Sequence, residues 1–462
     1  MKKLLCCWIF FASFSLYSQE HVNVILIVVD DLGYADLSCI GGAKDVSTPN
    51  IDRLAKNGVR YTNAYATAPI CNASRVSLAT GAYQQRQGQF WYGGPGLHKK
   101  EFLTIAECLK KKNYATGYVG KFHHGSSDSP SKRGFPLNHG FDTFFGFSGG
   151  TKHFLHHAKK YIGKKDKLHQ GPMYVENEKK DVEGFSTELF GERARSFIEQ
   201  NKDKKFFLTL SFNAVHNFTH QLPKSYLEEK GLKGFEDMKE KEDYWKWRQK
   251  IGYPAHPEGR DYYLGQLYFL DREIGKVMKT LDDLKLTEKT AVFFISDNGG
   301  SLVTYANNGS LSGGKYTLLE GGVRVPMIVS YPKEFKSGVV SDSIVSSMDI
   351  LPTICSLTGI EVPQNIDGLD LSENLTSEKA IDRDTLYFDI KSQAAVRKGN
   401  WKLLITKSSP NKRLQISPTP TGMFLYNLKN DPGEKENLLD KYPEKGRELS
   451  QLLKDWQAGL KK

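Results

Sequence analysis

The run Val22-Asn-Val-Ile-Leu-Ile-Val-Val29, followed at once by Asp30 and Asp31, most tightly constrains the fold of this chain. A nearly continuous apolar, β-branched run without polar alternation suits a strand covered on both faces. Ala291-Val-Phe-Phe-Ile-Ser296 has the same texture and leads into Asp297 and Asn298, and Phe206–Phe212 is a third such run. Helical periodicity lies between them. Phe185, Leu189, Phe190, Ala194, Phe197 and Ile198 mark one helix, and Leu264, Leu267, Ile274, Met278 and Leu281 mark another. Buried strands alternating with helices predict an α/β fold around a large, mixed or mainly parallel sheet.

In open α/β sheets ligands collect at the carboxyl ends of the strands. Asp30, Asp31, Asp297 and Asn298 stand at two such ends. Three converging carboxylates need a balancing cation, and an all-oxygen donor set selects calcium or magnesium over zinc. Adjacent Asp residues more commonly cap helices and turns. The argument for a metal therefore rests on both pairs following equally buried strands.

The amino terminus, Met1-Lys-Lys, then an apolar stretch from Leu4 to Leu16, then Tyr17-Ser18, reads as a signal peptide over residues 1–18. No later run is long and apolar enough to cross a bilayer. The expectation is a soluble exported body, in a bacterial periplasm or secreted, with no membrane contact after cleavage. Loss of Lys2 and Lys3 lowers the formal charge from +11 to +9. That balance favours a polyanionic partner, and an exported protein meets sulfated or carboxylated glycans rather than nucleic acid.

Two segments, residues 151–183 and 223–260, read as insertions rich in basic side chains, the second with Tyr244, Trp245 and Trp247. Solvated loops and sugar-binding loops fit them equally well. From about Asp382 short strand-like pieces (Thr385–Phe388, Trp401–Ile405, Phe424–Tyr426) and a terminal helix from about Glu444 to Leu460 suggest a small α+β subdomain. The expected organisation is a catalytic domain over residues 19–378 and a C-terminal subdomain over 379–462. Cys39, Cys71, Cys108 and Cys355 are too widely spaced for a zinc module or a disulfide framework.

The sharpest local feature is Cys71-Asn-Ala73-Ser74-Arg75, running on to Thr80-Gly81. It resembles the signature of the formylglycine-dependent (type I) sulfatases, in particular the bacterial secreted polysaccharide sulfatases. The resemblance covers nearly the whole mature chain. Asn23–Asp36 resembles the family's opening strand and metal loop. Thr48–Leu54 through Asn63-Ala-Tyr65 resembles the approach to the signature, and Gly120-Lys121-Phe-His123-His-Gly125 a Gly-Lys-Trp-His-Leu-Gly motif. His216, Asp297-Asn298-Gly299, Gly313-Gly-Lys315, Glu320–Pro326, Asp431-Pro-Gly-Glu434 and Asn437-Leu438 complete the set. Phe122, His124 and Val215 depart from the common Trp, Leu and Pro, and none of these removes a catalytic group.

The resemblance implies an alkaline-phosphatase-like sulfatase fold and hydrolysis of sulfate esters. It also implies one calcium ion held by Asp30, Asp31, Asp297, Asn298 and residue 71, with Cys71 converted to formylglycine (3-oxoalanine) by a maturation enzyme. A hydrated aldehyde carries two hydroxyls on one carbon: one attacks sulfur, and the other lets the adduct collapse and eject sulfate. Arg75 is expected to hold the residue-71 hydroxyls, and Lys121 and Lys315 the sulfate oxygens. His123 is expected as base, and His216 or Lys315 as proton donor to the leaving alcohol. If Cys71 is consumed in this way, at most one disulfide can form among Cys39, Cys108 and Cys355.

The expected substrate is a sulfated polysaccharide or its oligosaccharides, whether an algal glycan such as ulvan or carrageenan or a glycosaminoglycan. Two other readings are a formylglycine-dependent phosphonate or phosphate ester hydrolase and a non-catalytic glycan-binding homologue. The second would have lost its nucleophile or a metal ligand, and this chain keeps both.

Overall fold

A computed structural model describes residues 21–125, 129–150, 152–156, 172–233, 257–408 and 419–460. The signal peptide and the aromatic residues Tyr244, Trp245 and Trp247 lie outside the described residues.

Strands β1 (Asn23–Val29), β2 (Val59–Tyr65), β3 (Ala115–Lys121) and β4 (Thr143–Phe147) open the chain. They are followed by β5 (Leu155–His156), β6 (Met173–Val175), β7 (Glu178–Lys180) and β8 (Gly184–Phe185). Then come β9 (Phe206–Ser211), β10 (Thr290–Ser296), β11 (Met327–Ser330) and β12 (Val339–Ser346). Ten of these form one sheet in the order β12-β2-β11-β10-β1-β9-β3-β4-β6-β7, while β5 pairs with β8. The neighbours β10, β1, β9, β3 and β4 are mutually parallel, and β11 and β6 run against them. The sheet is therefore mixed with a parallel centre.

The central strand explains its own sequence. All seven residues of β1 are buried. Ile25, Ile27 and Val29 face a core shared with the helices Ser186–Gln200 and Gly259–Asp283. Val24, Leu26 and Val28 face a second core with the helices Ile105–Lys110 and Ile350–Thr358. Helices on both faces leave no polar side for the strand, so its apolar run is unbroken.

A second, antiparallel sheet orders β13 (Thr385–Asp389), β14 (Gln393–Lys398), β15 (Trp401–Thr406) and β16 (Gly422–Asn427). One face of it, through Val396, Leu403 and Leu425, packs on Leu449 and Leu453 of the helix Pro443–Gly459. Leu386, Phe388, Ala395 and Leu404 on the other face pack against Tyr65, Leu318 and Val323 of the large body. All four described cysteines are free thiols, with Cys108 and Cys355 in hydrogen-bonding contact.

Candidate active site

Four adjacent parallel strands deliver the site. Asp30 and Asp31 follow β1, Asp297 and Asn298 follow β10, Lys121 ends β3, and His216 follows β9 by a short turn. Backbone bonds lock these ends together: Asp297 N donates to Val29 O at 2.9 Å, and Asp30 N donates to Ala214 O at 3.0 Å. Val215 N donates back to Asp30 O at 2.9 Å, which sets His216 beside the β1 end. Asp31 turns the chain in the left-handed region (φ 61°), and His123 does the same after β3 (φ 46°).

Cys71 is the first residue of the helix Cys71–Thr80, which starts because Ile70 is extended and ends at Gly81 in the left-handed conformation. No side chain caps its amino end. The first amides and the helix dipole favour an anion there. The Cys71 thiol lies 3.4 Å from Asp30 Oδ1, and Lys315 Nζ donates to Sγ at 3.2 Å.

Three buried cations face three buried carboxylates. Lys121 pairs with Asp30 at 2.5 Å, Lys315 with Asp31 at 2.7 Å, and Arg75 with Asp297 at 2.8 Å. Arg75 also donates to Lys121 O at 2.8 Å and Ser211 Oγ at 2.6 Å, so its guanidinium ties the β3, β9 and β10 ends together. Lys121 donates a further bond to Gly150 O. Burial, with Asp297 and Asp31 adding repulsion, pushes Asp30 up to about 7 against the pull of Lys121. Burial works the same way on Asp297, but Arg75, Lys121 and Lys315 hold its carboxyl below the usual range. Against burial, Asp31 keeps the Lys315 ammonium firmly charged. Burial, reinforced by Lys121 and Arg75, drives His123 well below the ordinary histidine range, and burial pushes the Cys71 thiol up.

The structure brings all of the sequence-predicted residues into this region, with one rearrangement. Asp30, Asp31, Cys71 and His216 have ligand atoms within 4.8 Å of one another and could hold a metal ion. His216 Nε2 lies 3.4 Å from Asp31. Asp297 lies outside that group of four: its oxygens accept from Asp31 N at 3.2 Å and from Arg75. Asn298 Nδ2 donates to Asp31 at 2.8 Å, while its buried Oδ1 has no protein partner. That orphaned amide oxygen, which lacks a partner, and the Asp30 carboxylate, crowded by Asp31 and Asp297, are the oxygen donors that a hard divalent cation takes. Sequence reasoning missed Ser211, which accepts from Arg75 and donates to Lys121 O at 2.6 Å, and the Gly150 carbonyl. A lone Ser at a strand end and a backbone oxygen carry no readable signal.

The family model described as "Sulfatase" matches residues 22–360, and one described as "N-sulphoglucosamine sulphohydrolase, C-terminal" matches residues 314–459. N-acetylgalactosamine-6-sulfatase of Mus musculus is 28% identical over 96% of this chain and 87% of its own length. N-acetylgalactosamine-6-O-sulfatase of Bacteroides thetaiotaomicron is 28% identical over 94% and 93%. The solved structure of Ps i-CgsB with k-i-k-neocarrahexaose superposes with a TM-score of 0.79 at 29% identity, covering 94% of this chain and 92% of that one. A phosphonate monoester hydrolase of Agrobacterium radiobacter, 19% identical with a TM-score of 0.66, shares the fold. With cationic and anionic side chains gathered around a cysteine that opens a helix, and with the family match spanning most of the length, the chain belongs to the sulfatase family of sulfuric ester hydrolases.

Proposed function

We propose that this protein hydrolyses sulfate esters on a sulfated glycan, with Cys71 converted to formylglycine and one calcium ion among Asp30, Asp31, Asp297, Asn298 and residue 71. The observation that carries this reading is the position of Cys71 at an uncapped helix start, 3.4 Å from Asp30 and 3.2 Å from Lys315. A hydroxyl nucleophile, an oxygen-rich cation site and a sulfate-binding ammonium would thus share one pocket. The bound cation supplies Lewis acidity and charge at residue 71, and the hydrated aldehyde supplies the nucleophile and an exit by carbonyl re-formation.

The chain's own residues do the rest. Arg75 fixes the pocket floor by holding Asp297 and Ser211. Lys121 and Lys315, resting on Asp30 and Asp31, turn to the sulfate oxygens and offset charge as the S–O bond breaks. His123, kept neutral by burial, can accept a proton from the second hydroxyl. Lys315 or His216 hands a proton to the departing sugar oxygen. An aromatic edge of Trp91, Tyr92 and Tyr316 adjoins Lys315, with ring centroids 5.6–6.2 Å apart and Tyr92 44% exposed. It suits the apolar face of a sugar ring. Relatives named for N-acetylgalactosamine 6-sulfate and a carrageenan complex point the same way.

The test is sulfate release from N-acetylgalactosamine 6-sulfate and ι-carrageenan oligosaccharides, after co-expression with a formylglycine-generating enzyme and with calcium present. Release by the wild type and none by Cys71→Ala is expected. Hydrolysis of a phenyl phosphonate ester without sulfate release from any sugar would overturn the substrate class.

A further inference from the structure

Lys315 sits in a segment, residues 312–320, that has little regular structure of its own. The second sheet and the turn after it hold that segment at three points. Ser312 Oγ donates to Gly433 O at 2.5 Å, Leu318 N to Gln393 Oε1 at 3.0 Å, and Glu320 N to Glu434 Oε2 at 2.6 Å. Behind them lies a sealed ionic group. Lys402 of β15 bridges Glu320 at 3.0 Å and Glu434 at 2.8 Å, and none of the three side chains is exposed. Tyr65 OH donates to the second Glu320 oxygen at 2.5 Å, and Arg397 donates to Tyr65.

Buried ion groups are weak sources of net stability, because desolvation cancels most of the attraction. What they do enforce is geometry, since each charge accepts only a few arrangements. Here the arrangement fixes both ends of the segment that aims the Lys315 ammonium at Asp31 and Cys71. We propose that Glu434 and Lys402 are positioning residues for Lys315, so that the Asp431-Pro-Gly-Glu434 turn of the C-terminal region completes a site built on the large sheet. This rests on the reading of Lys315 as the sulfate-binding cation.

A double-mutant cycle tests it, using 4-nitrophenyl sulfate, which reaches the site mainly through its sulfate. Conversion of Cys71 is verified by peptide mass in every variant, and assays run well below each thermal midpoint. Lys315→Ala is expected to lower kcat/KM by about 10²-fold or more. Glu434→Gln is expected to lower it about tenfold or more in the native background, because a small misplacement of a catalytic group is costly. In the Lys315→Ala background the same change is expected to cost less than about twofold, since there is nothing left to position. Lys402→Met/Glu434→Gln, which removes one cation and one carboxylate and leaves Glu320 to Tyr65 OH and Arg324, serves if the single variant folds poorly. Leu449→Ala, in the core on the other face of the second sheet, controls for general destabilisation and is expected to leave the rate within about twofold.

Equal losses from Glu434→Gln in both backgrounds, or none in the native one, would overturn the positioning role. An undiminished rate for Lys315→Ala alone would overturn the reading of Lys315, and the inference with it.

Discussion

Arg75 shows how much one buried side chain carries here. Its guanidinium balances Asp297 and reaches the ends of two other strands, with a side chain 2% exposed. Removing it strips the buried Asp297 of its direct ion-pair partner, leaving the Asp31 amide and the more distant Lys121 and Lys315, and breaking a buried pair typically costs up to about 3–5 kcal/mol. Arg75→Ala is therefore expected to lower the denaturant midpoint strongly as well as activity. A midpoint within experimental error of wild type would show that Asp297 finds another partner. His139 gives a second residue-scale prediction. Burial, with His124 and Arg133 adding repulsion, holds it well below the usual histidine range. It is neutral when folded and takes up a proton when unfolded, so its stabilising share is intact above about pH 6.5 and declines as pH falls, by about 1.4 kcal/mol per unit. Other buried groups titrate in the same window, so the comparison with His139→Phe isolates one imidazole. The variant's stability is predicted to fall less steeply between pH 6.5 and 5 by about that slope, and parallel curves would contradict the assignment.

Among the elements, β1, β9 and β10 were legible because each is covered on both faces and reads as an unbroken apolar run. β3 was not. Its sequence, Ala-Thr-Gly-Tyr-Val-Gly-Lys, carries two glycines that weaken any strand signal. The structure explains Gly120: it has φ 106°, and a Cβ there would lie 1.8 Å from Ser211 O on β9. The close approach that hides the strand is the one that brings Lys121 beside the β9 end. Gly120→Ala is expected to destabilise the fold by about 2 kcal/mol or more and to lower activity through Lys121. Retention of both would mean that β3 and β9 can separate without cost. In the C-terminal region three strands and the helix were read, while β14 was missed because Gln393-Ala-Ala-Val-Arg-Lys398 lacks alternation.

For the whole molecule, the candidate site was more legible than the fold around it. Asp30, Cys71, Lys121, Asp297 and Lys315 are scattered along the chain, yet each belongs to a short pattern, whereas His216 was reached only through the family resemblance. What patterns could not supply was mutual geometry: His216 against Asp31, Ser211 beneath Arg75, and Lys402 between two glutamates. Those depend on the strand order β10-β1-β9-β3 and on how the second sheet docks. Of the two segments read as insertions, 151–183 proves to be partly scaffold, since it supplies β6 and β7 to the edge of the large sheet, while residues 234–256 of the second, with its aromatic side chains, lie outside the described residues.

On the proposed mechanism, residue 71 reacts as an aldehyde hydrate and not as a thiol. The direct measurement is the rate of sulfate release across preparations that differ only in co-expressed maturation enzyme, set against the fraction of the Cys71 peptide that carries the aldehyde by mass. A straight line through the origin is expected. A rate that persists in fully unconverted protein, or that does not change with conversion, would contradict it.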